Sequence, residues 1–100
     1  MPRVVLDLNN PAFQEAWLAL EREEALAVLA TLRKIHQMEW QQLYSDRGLR
    51  WEAILSRSGP GGARIYSLRV SRKVRAVAYR DRDFLRLLSL HADHDSAYGR

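Results

Sequence analysis

Apolar positions along this chain follow one of two periods, separated by short polar stretches with no period at all. Over residues 3–8, Val4, Leu6 and Leu8 alternate with Arg3, Val5 and Asp7, a period of two with β-branched content that predicts a strand. Asn9 and Asn10 offer capping oxygens and Pro11 suits a first helical turn, so a helix is expected from about residue 10. Phe13, Trp17, Leu18 and Leu20 form its apolar stripe. The stripe lapses over residues 21–24 and resumes as Leu26, Leu29, Leu32 and Ile35 at helical spacing. With neither Gly nor Pro in the gap, a helical hairpin and one long bent helix both fit. Trp40, Leu43 and Tyr44 add a further turn or two over residues 39–44, ended by Asp46, Arg47 and Gly48.

The second half changes period. Residues 50–55, RWEAIL, are too short to classify and fit a strand or a short helix. Residues 56–63, SRSGPGGA, read as a mobile Gly/Pro/Ser loop that cannot hold regular structure. Three runs then alternate as strands, residues 64–71, 74–80 and 84–91, joined by turns short enough for antiparallel hairpins. In the first, Tyr66, Leu68 and Val70 oppose Ser67 and Arg69. In the last, strict alternation puts Phe84, Leu88 and Leu90 on a face with Arg86, and Leu85, Leu87, Ser89 and His91 on the other. The expectation is an α+β fold: one domain over residues 1–100, with a small, mostly antiparallel sheet packed on one face by an N-terminal helical hairpin.

Composition narrows the partners. A chain of 100 residues supports one modest core and leaves no room for a large cofactor domain. The absence of cysteine excludes disulfides and thiolate zinc sites and favours an intracellular, cytoplasmic protein. No 18-residue apolar stretch and no signal-peptide core are present, so no membrane partner is expected. Residues 1–46 hold four basic and seven acidic side chains, a net of −3, whereas residues 47–100 hold twelve and five, a net of +7. Between Arg47 and Arg80, nine basic residues face only Glu52. Fourteen of the 16 basic residues are Arg, which favours bidentate contact with phosphates. A genome that writes Arg for Lys on an ordinary solvated surface gives the same count.

Groups able to move protons gather at the end. His91, Asp93, His94, Asp95, Ser96 and Tyr98 lie within eight residues, close to an Arg-rich sheet. Cleavage of RNA without a metal needs such a set: a base for the 2′-hydroxyl, an acid for the leaving 5′-oxygen, and Arg for the charge of the transition state. The plain alternative is a polar chain end with Asp95 capping a terminal turn. His91 and His94 with Asp93 and Asp95 could ligate a metal, but no second cluster completes a shell, and no metal is expected. Ser96 lacks nucleophile-elbow glycines, and Gly59, Gly61 and Gly62 precede no Lys-Ser/Thr pair, so acyl transfer and a nucleotide cofactor are not expected. Trp17, Trp40 and Tyr44 fall at core spacing, whereas Tyr98 does not. Arg69 and Arg75 sit in apolar strands, where a charge must meet solvent, an ion pair or a ligand, and are the first candidates for phosphate contact. Arg72, Lys73 and His91 add basic positions nearby.

The order of these elements, with a Tyr66-Ser67-Leu68-Arg69 strand, an Arg75-to-Tyr79 strand, an apolar strand ending in His91 and a terminal Tyr98, resembles the RelE/ParE toxin superfamily of bacterial toxin–antitoxin systems. The resemblance covers nearly the whole chain and is most specific from Tyr66 to Tyr98. It implies a toxin held by a cognate antitoxin protein in a hetero-oligomer. RelE-type members cut mRNA, usually on the ribosome, and ParE-type members inhibit DNA gyrase without nuclease chemistry. On the RelE pattern the resemblance assigns phosphate contact to Arg69, transition-state stabilisation to Arg75, activation of the 2′-hydroxyl to Tyr98 and an acid–base role to His94. Asp93 and Asp95 bracket His94 where RelE-type members are basic, and a toxin-like module that only binds a partner is a further alternative.

Overall fold

The computed structural model describes residues 2–92. A short strand, β1 (Val5–Asp7), leads to helix α1 (Pro11–Leu18). Asn10 caps that helix, its side-chain oxygen accepting the Ala12 N–H at 2.8 Å, and Pro11 sits in the first turn, where its missing N–H has no partner to lose. The gap that lacked Gly and Pro is a corner, giving two helices rather than one bent helix. Glu21 turns to an extended conformation (φ −58°, ψ 152°) before α2 (Arg22–His36) begins. Across the corner the Trp17 indole N–H donates to the Ala25 carbonyl at 3.1 Å. Helix α2 carries Glu23 and Glu24 in its first turn and Arg33, Lys34 and His36 in its last, each sign complementing the helix dipole. A capping box between Glu39 and Gln42 starts the short α3 (Trp40–Ser45).

The apolar stripe of the helices is rotated from the expected one. Val28, Leu32 and Ile35 are the buried residues of α2, while Leu18, Leu26 and Leu29 are exposed. Spacings of four and three along 28, 32 and 35 form a narrow seam, which the exposed leucines flank.

Residues 50–55 contribute a strand, β2 (Glu52–Ile54), and the hairpins follow as β3 (Ile65–Arg69), β4 (Val74–Asp81) and β5 (Phe84–Ala92). The five strands lie in the order β1-β5-β4-β3-β2, antiparallel except for β1, which runs parallel to β5. This is the expected α+β architecture with a mostly antiparallel sheet. Leu68, Val70, Val74, Ala76, Ala78, Leu85 and Leu87 meet Phe13, Val28, Leu32, Ile35 and Trp40 in the main core. Among the described residues no helix covers the opposite, open face, where Ile54, Ile65 and Val77 form a small cluster with Tyr79 and Leu88. The loop over residues 56–63, expected to hold no regular structure, contains a 3-10 turn at Pro60–Gly62, with Gly61 at φ 65°.

Strict alternation fails in β5. The register passes from Val77 opposite Ser89 to Ala78 opposite Leu87, so Leu88 is an extra residue, a β-bulge. Leu88 and Ser89 therefore share the open face, Leu90 packs against the main core, and His91 returns to the open side opposite Arg75. This corrects the expected faces: His91 and Ser89 lie with Arg86, not with Leu85 and Leu87. Among the described residues no helix is long and apolar enough to cross a membrane.

Candidate functional site

The site is built from cross-strand neighbours. Arg69 pairs with Arg75, and Arg75 pairs with His91, so three residues far apart in sequence form one row across β3, β4 and β5 on the face away from the helices. In the adjacent row Ser67 pairs with Val77 and Val77 with Ser89, and Glu52 of β2 pairs with Ser67. Ser89 Oγ lies 2.9 Å from His91 Nε2, two residues along the same strand face. The structure thus brings together Arg69, Arg75 and His91, with Arg72 and Lys73 exposed in the β3–β4 turn. That turn is anchored to α2 by Ser71, whose hydroxyl donates to Glu24 Oε1 at 2.6 Å.

Arg75 is the centre of the row and the most enclosed of its members, 3% exposed. Its Nη2 donates to Ser67 Oγ at 2.7 Å, to the Arg50 carbonyl at 3.2 Å and to Glu52 Oε1 at 3.4 Å. Arg50 has a φ of 51°, in the left-handed region, and also meets Glu52 at 3.8 Å. Of the three environments that a strand-borne charge requires, Arg75 therefore has the ion pair. A buried guanidinium held in this way stabilises only while its partners remain, so its replacement disturbs the sheet as well as any chemistry. Arg69 is half-buried, and its backbone N–H donates to the Leu49 carbonyl at 2.6 Å.

The other end of the open face is neutralised internally. Arg86 donates from Nη1 to Asp7 at 2.6 Å and from Nε to Asp81 at 2.9 Å, tying β1, β5 and β4 together. The Asn9 backbone N–H and the Arg86 guanidinium hold the Asp7 carboxyl below its usual range, and Asp7 and Asp81 together raise Arg86 above its own. Arg80 is drawn off to the helical side: it lies 4.4 Å over the Trp40 ring and donates to the Tyr44 hydroxyl at 2.9 Å. Tyr44, expected in the core, is 46% exposed because it completes the rim of an aromatic group with Trp40 and Trp51. Trp40 is buried as expected, its indole N–H satisfied by the Asp83 carbonyl at 3.0 Å.

His94 and Tyr98, the proposed acid–base groups, lie outside the described residues. Among the described residues no group of three or more His, Asp or Glu side chains is placed to hold a metal ion. Sequence reasoning passed over Ser67, Glu52 and Ser89. A signal existed for both serines, each two residues from a candidate on one strand face; Glu52 became legible only once β2 was paired.

No family model matches the chain, and no curated protein matches it in sequence. Among solved structures it is similar to a copper-bound mutant toxin from Helicobacter pylori, at 18% identity and a TM-score of 0.47, over 93% of this chain and 96% of that one. An overlap this loose assigns neither a site nor an activity.

Proposed function

We propose that this protein is a toxin of the RelE/ParE kind acting as a metal-independent mRNA endoribonuclease that inhibits translation. The observation that carries this reading is the row of Arg69, Arg75 and His91 across three strands, which gathers phosphate-binding groups on one face of the sheet. In this reading Arg69 and His91 contact the RNA phosphates, with Arg72 and Lys73 alongside. Arg75 supplies fixed positive charge from beneath, stabilising the phosphorane-like transition state without leaving Ser67. A base removes the 2′-hydroxyl proton, the 2′-oxygen attacks phosphorus, and an acid protonates the departing 5′-oxygen, leaving a cyclic phosphate and a free 5′-hydroxyl. His94 is assigned acid or base and Tyr98 assists it. The basic half of the chain is complementary to an acidic antitoxin, the proposed partner in a hetero-oligomer.

The test is growth after induced expression, with primer extension on cellular mRNA and cleavage of purified RNA in the presence of a chelator. Wild type is expected to arrest growth and cut RNA; Arg69→Ala and His94→Ala should each lower cleavage about 10²–10⁴-fold. Undiminished cutting in both variants would overturn the assignment. The burial of Arg75 against Ser67 and Glu52 favours a second reading, a non-nuclease gyrase inhibitor of the ParE kind, since the row's central cation is already paired. Inhibition of supercoiling with RNA absent would select it.

A further inference from the structure

A cavity of about 250 Å³ lies on the open face between the 56–63 loop and the sheet. Ile65, Val77 and Leu88 give it an apolar floor, and Arg57, Ser58 and Ser89 line it with polar groups; among the described residues no acidic one lines it. Two features hold it beside the basic row. Ser89 belongs to both, since its hydroxyl is also the group 2.9 Å from His91 Nε2. Val77, on the floor, is two residues from Arg75 on the same strand face, about 7 Å along the strand.

The loop's approach to the sheet is fixed by one residue. A Cβ on Gly59 would fall 2.4 Å from Ile65 Cγ2, a distance at which either the loop or the buried Ile65 side chain must shift. The Gly59 N–H donates to the Ala63 carbonyl at 2.8 Å, closing the loop on itself in this position. The cavity's depth is therefore set by the absence of a side chain at residue 59.

We propose that this cavity is a nucleobase pocket, holding the base next to the scissile phosphate and setting the sequence preference of cleavage; the assignment rests on the ribonuclease reading. A flat, unstacked base matches an apolar floor, and an Arg guanidinium can stack on it while the Ser hydroxyls reach its edge. One nucleotide spans the step from the phosphate on the row to the base over Val77. The described lining carries Arg57 and no carboxylate, which suits a base with a phosphate on either side.

The experiment is an amide NMR titration of the full chain with each of the four nucleoside 3′-monophosphates and, separately, with inorganic phosphate. Nucleotides are expected to shift the amides of Ser58, Gly59, Leu88 and Ser89, with phosphate alone moving only those around Arg69 and His91. Shifts at the loop produced equally by inorganic phosphate would overturn the pocket. Arg57→Ala, at an exposed position, should weaken the preferred nucleotide about tenfold and broaden the cut sites in RNA, in line with the loss of one base-stacking contact. Gly59→Ala should do the same by shifting the loop or Ile65. Cleavage with no nucleotide shift at the loop would remove the pocket and leave the nuclease standing. Loop shifts without cleavage by the wild type would remove the nuclease reading and, with it, the specificity role.

Discussion

Arg75 shows how one side chain can satisfy a structural and a chemical expectation together. Its position in an apolar strand announced a charge in need of a partner, and the structure supplies Ser67, the Arg50 carbonyl and Glu52. Replacing Ser67 by Ala removes a hydrogen bond to a buried charge and is expected to cost about 1.5–3 kcal/mol in urea unfolding. A cost within experimental error would mean that the remaining acceptors hold the guanidinium alone. Arg75→Ala takes one partner each from Ser67 and Glu52, which keeps Arg50, and empties a buried position, so it is expected to lower the melting temperature, and loss of toxicity in that variant needs a melting curve beside it. Arg69, half-buried at the edge of the same row, is the cleaner probe of phosphate contact. The row was partly legible: Ser67 and Arg69 were placed on one face by alternation, but the Arg50 carbonyl that completes the nest depends on a left-handed backbone that no Gly or Asn marks.

The elements themselves were legible wherever their period was strong. Both hairpins fall where the alternation put them, and the Asn10 cap and Pro11 start α1 as expected. What escaped was the relation between elements: the parallel seating of β1 on β5, and the rotation of α2 that buries Val28 instead of Leu26. Both are tertiary choices that no local period encodes. The seating of β1 has a pH signature. Asp7 is held below its ordinary value of 3.8, so its contribution is complete above that value and disappears as pH falls through the depressed one. Asp46 behaves alike: burial pushes its carboxyl up, but the Lys34 ammonium at 3.0 Å and the Leu49 N–H outweigh that and hold it down. Asp7→Asn should therefore lower the melting temperature at neutral pH and flatten its fall in acid, measured by circular dichroism from pH 7 to 2. An unchanged acid limb would show that Arg86 is held by Asp81 alone. On the helical side, Trp40→Ala should cost about 3–5 kcal/mol, since it leaves a cavity in the core and removes both the indole N–H from the Asp83 carbonyl and the ring under Arg80.

At the scale of the whole molecule the two halves differ in sign, −3 against +7, and the sheet concentrates part of the positive half at one end. Binding of single-stranded RNA should weaken with salt, with a slope of log K on log salt of about −2 for some three phosphate contacts. Filter binding between low and physiological salt measures it, and a flat response would mean that the field plays no part. Charge asymmetry was readable from composition, whereas the side of the sheet that receives it was not. For His91, the single extra residue at Leu88 decides it. Indels are usually tolerated in loops and resisted in strands by degree; here the resistance is a matter of parity. Loss of Leu88 alone would close the bulge and leave His91 opposite Arg75, whereas one further residue deleted before His91 would point it into the helices. Among descendants of this chain, length in β5 is a chemical variable as surely as residue identity is.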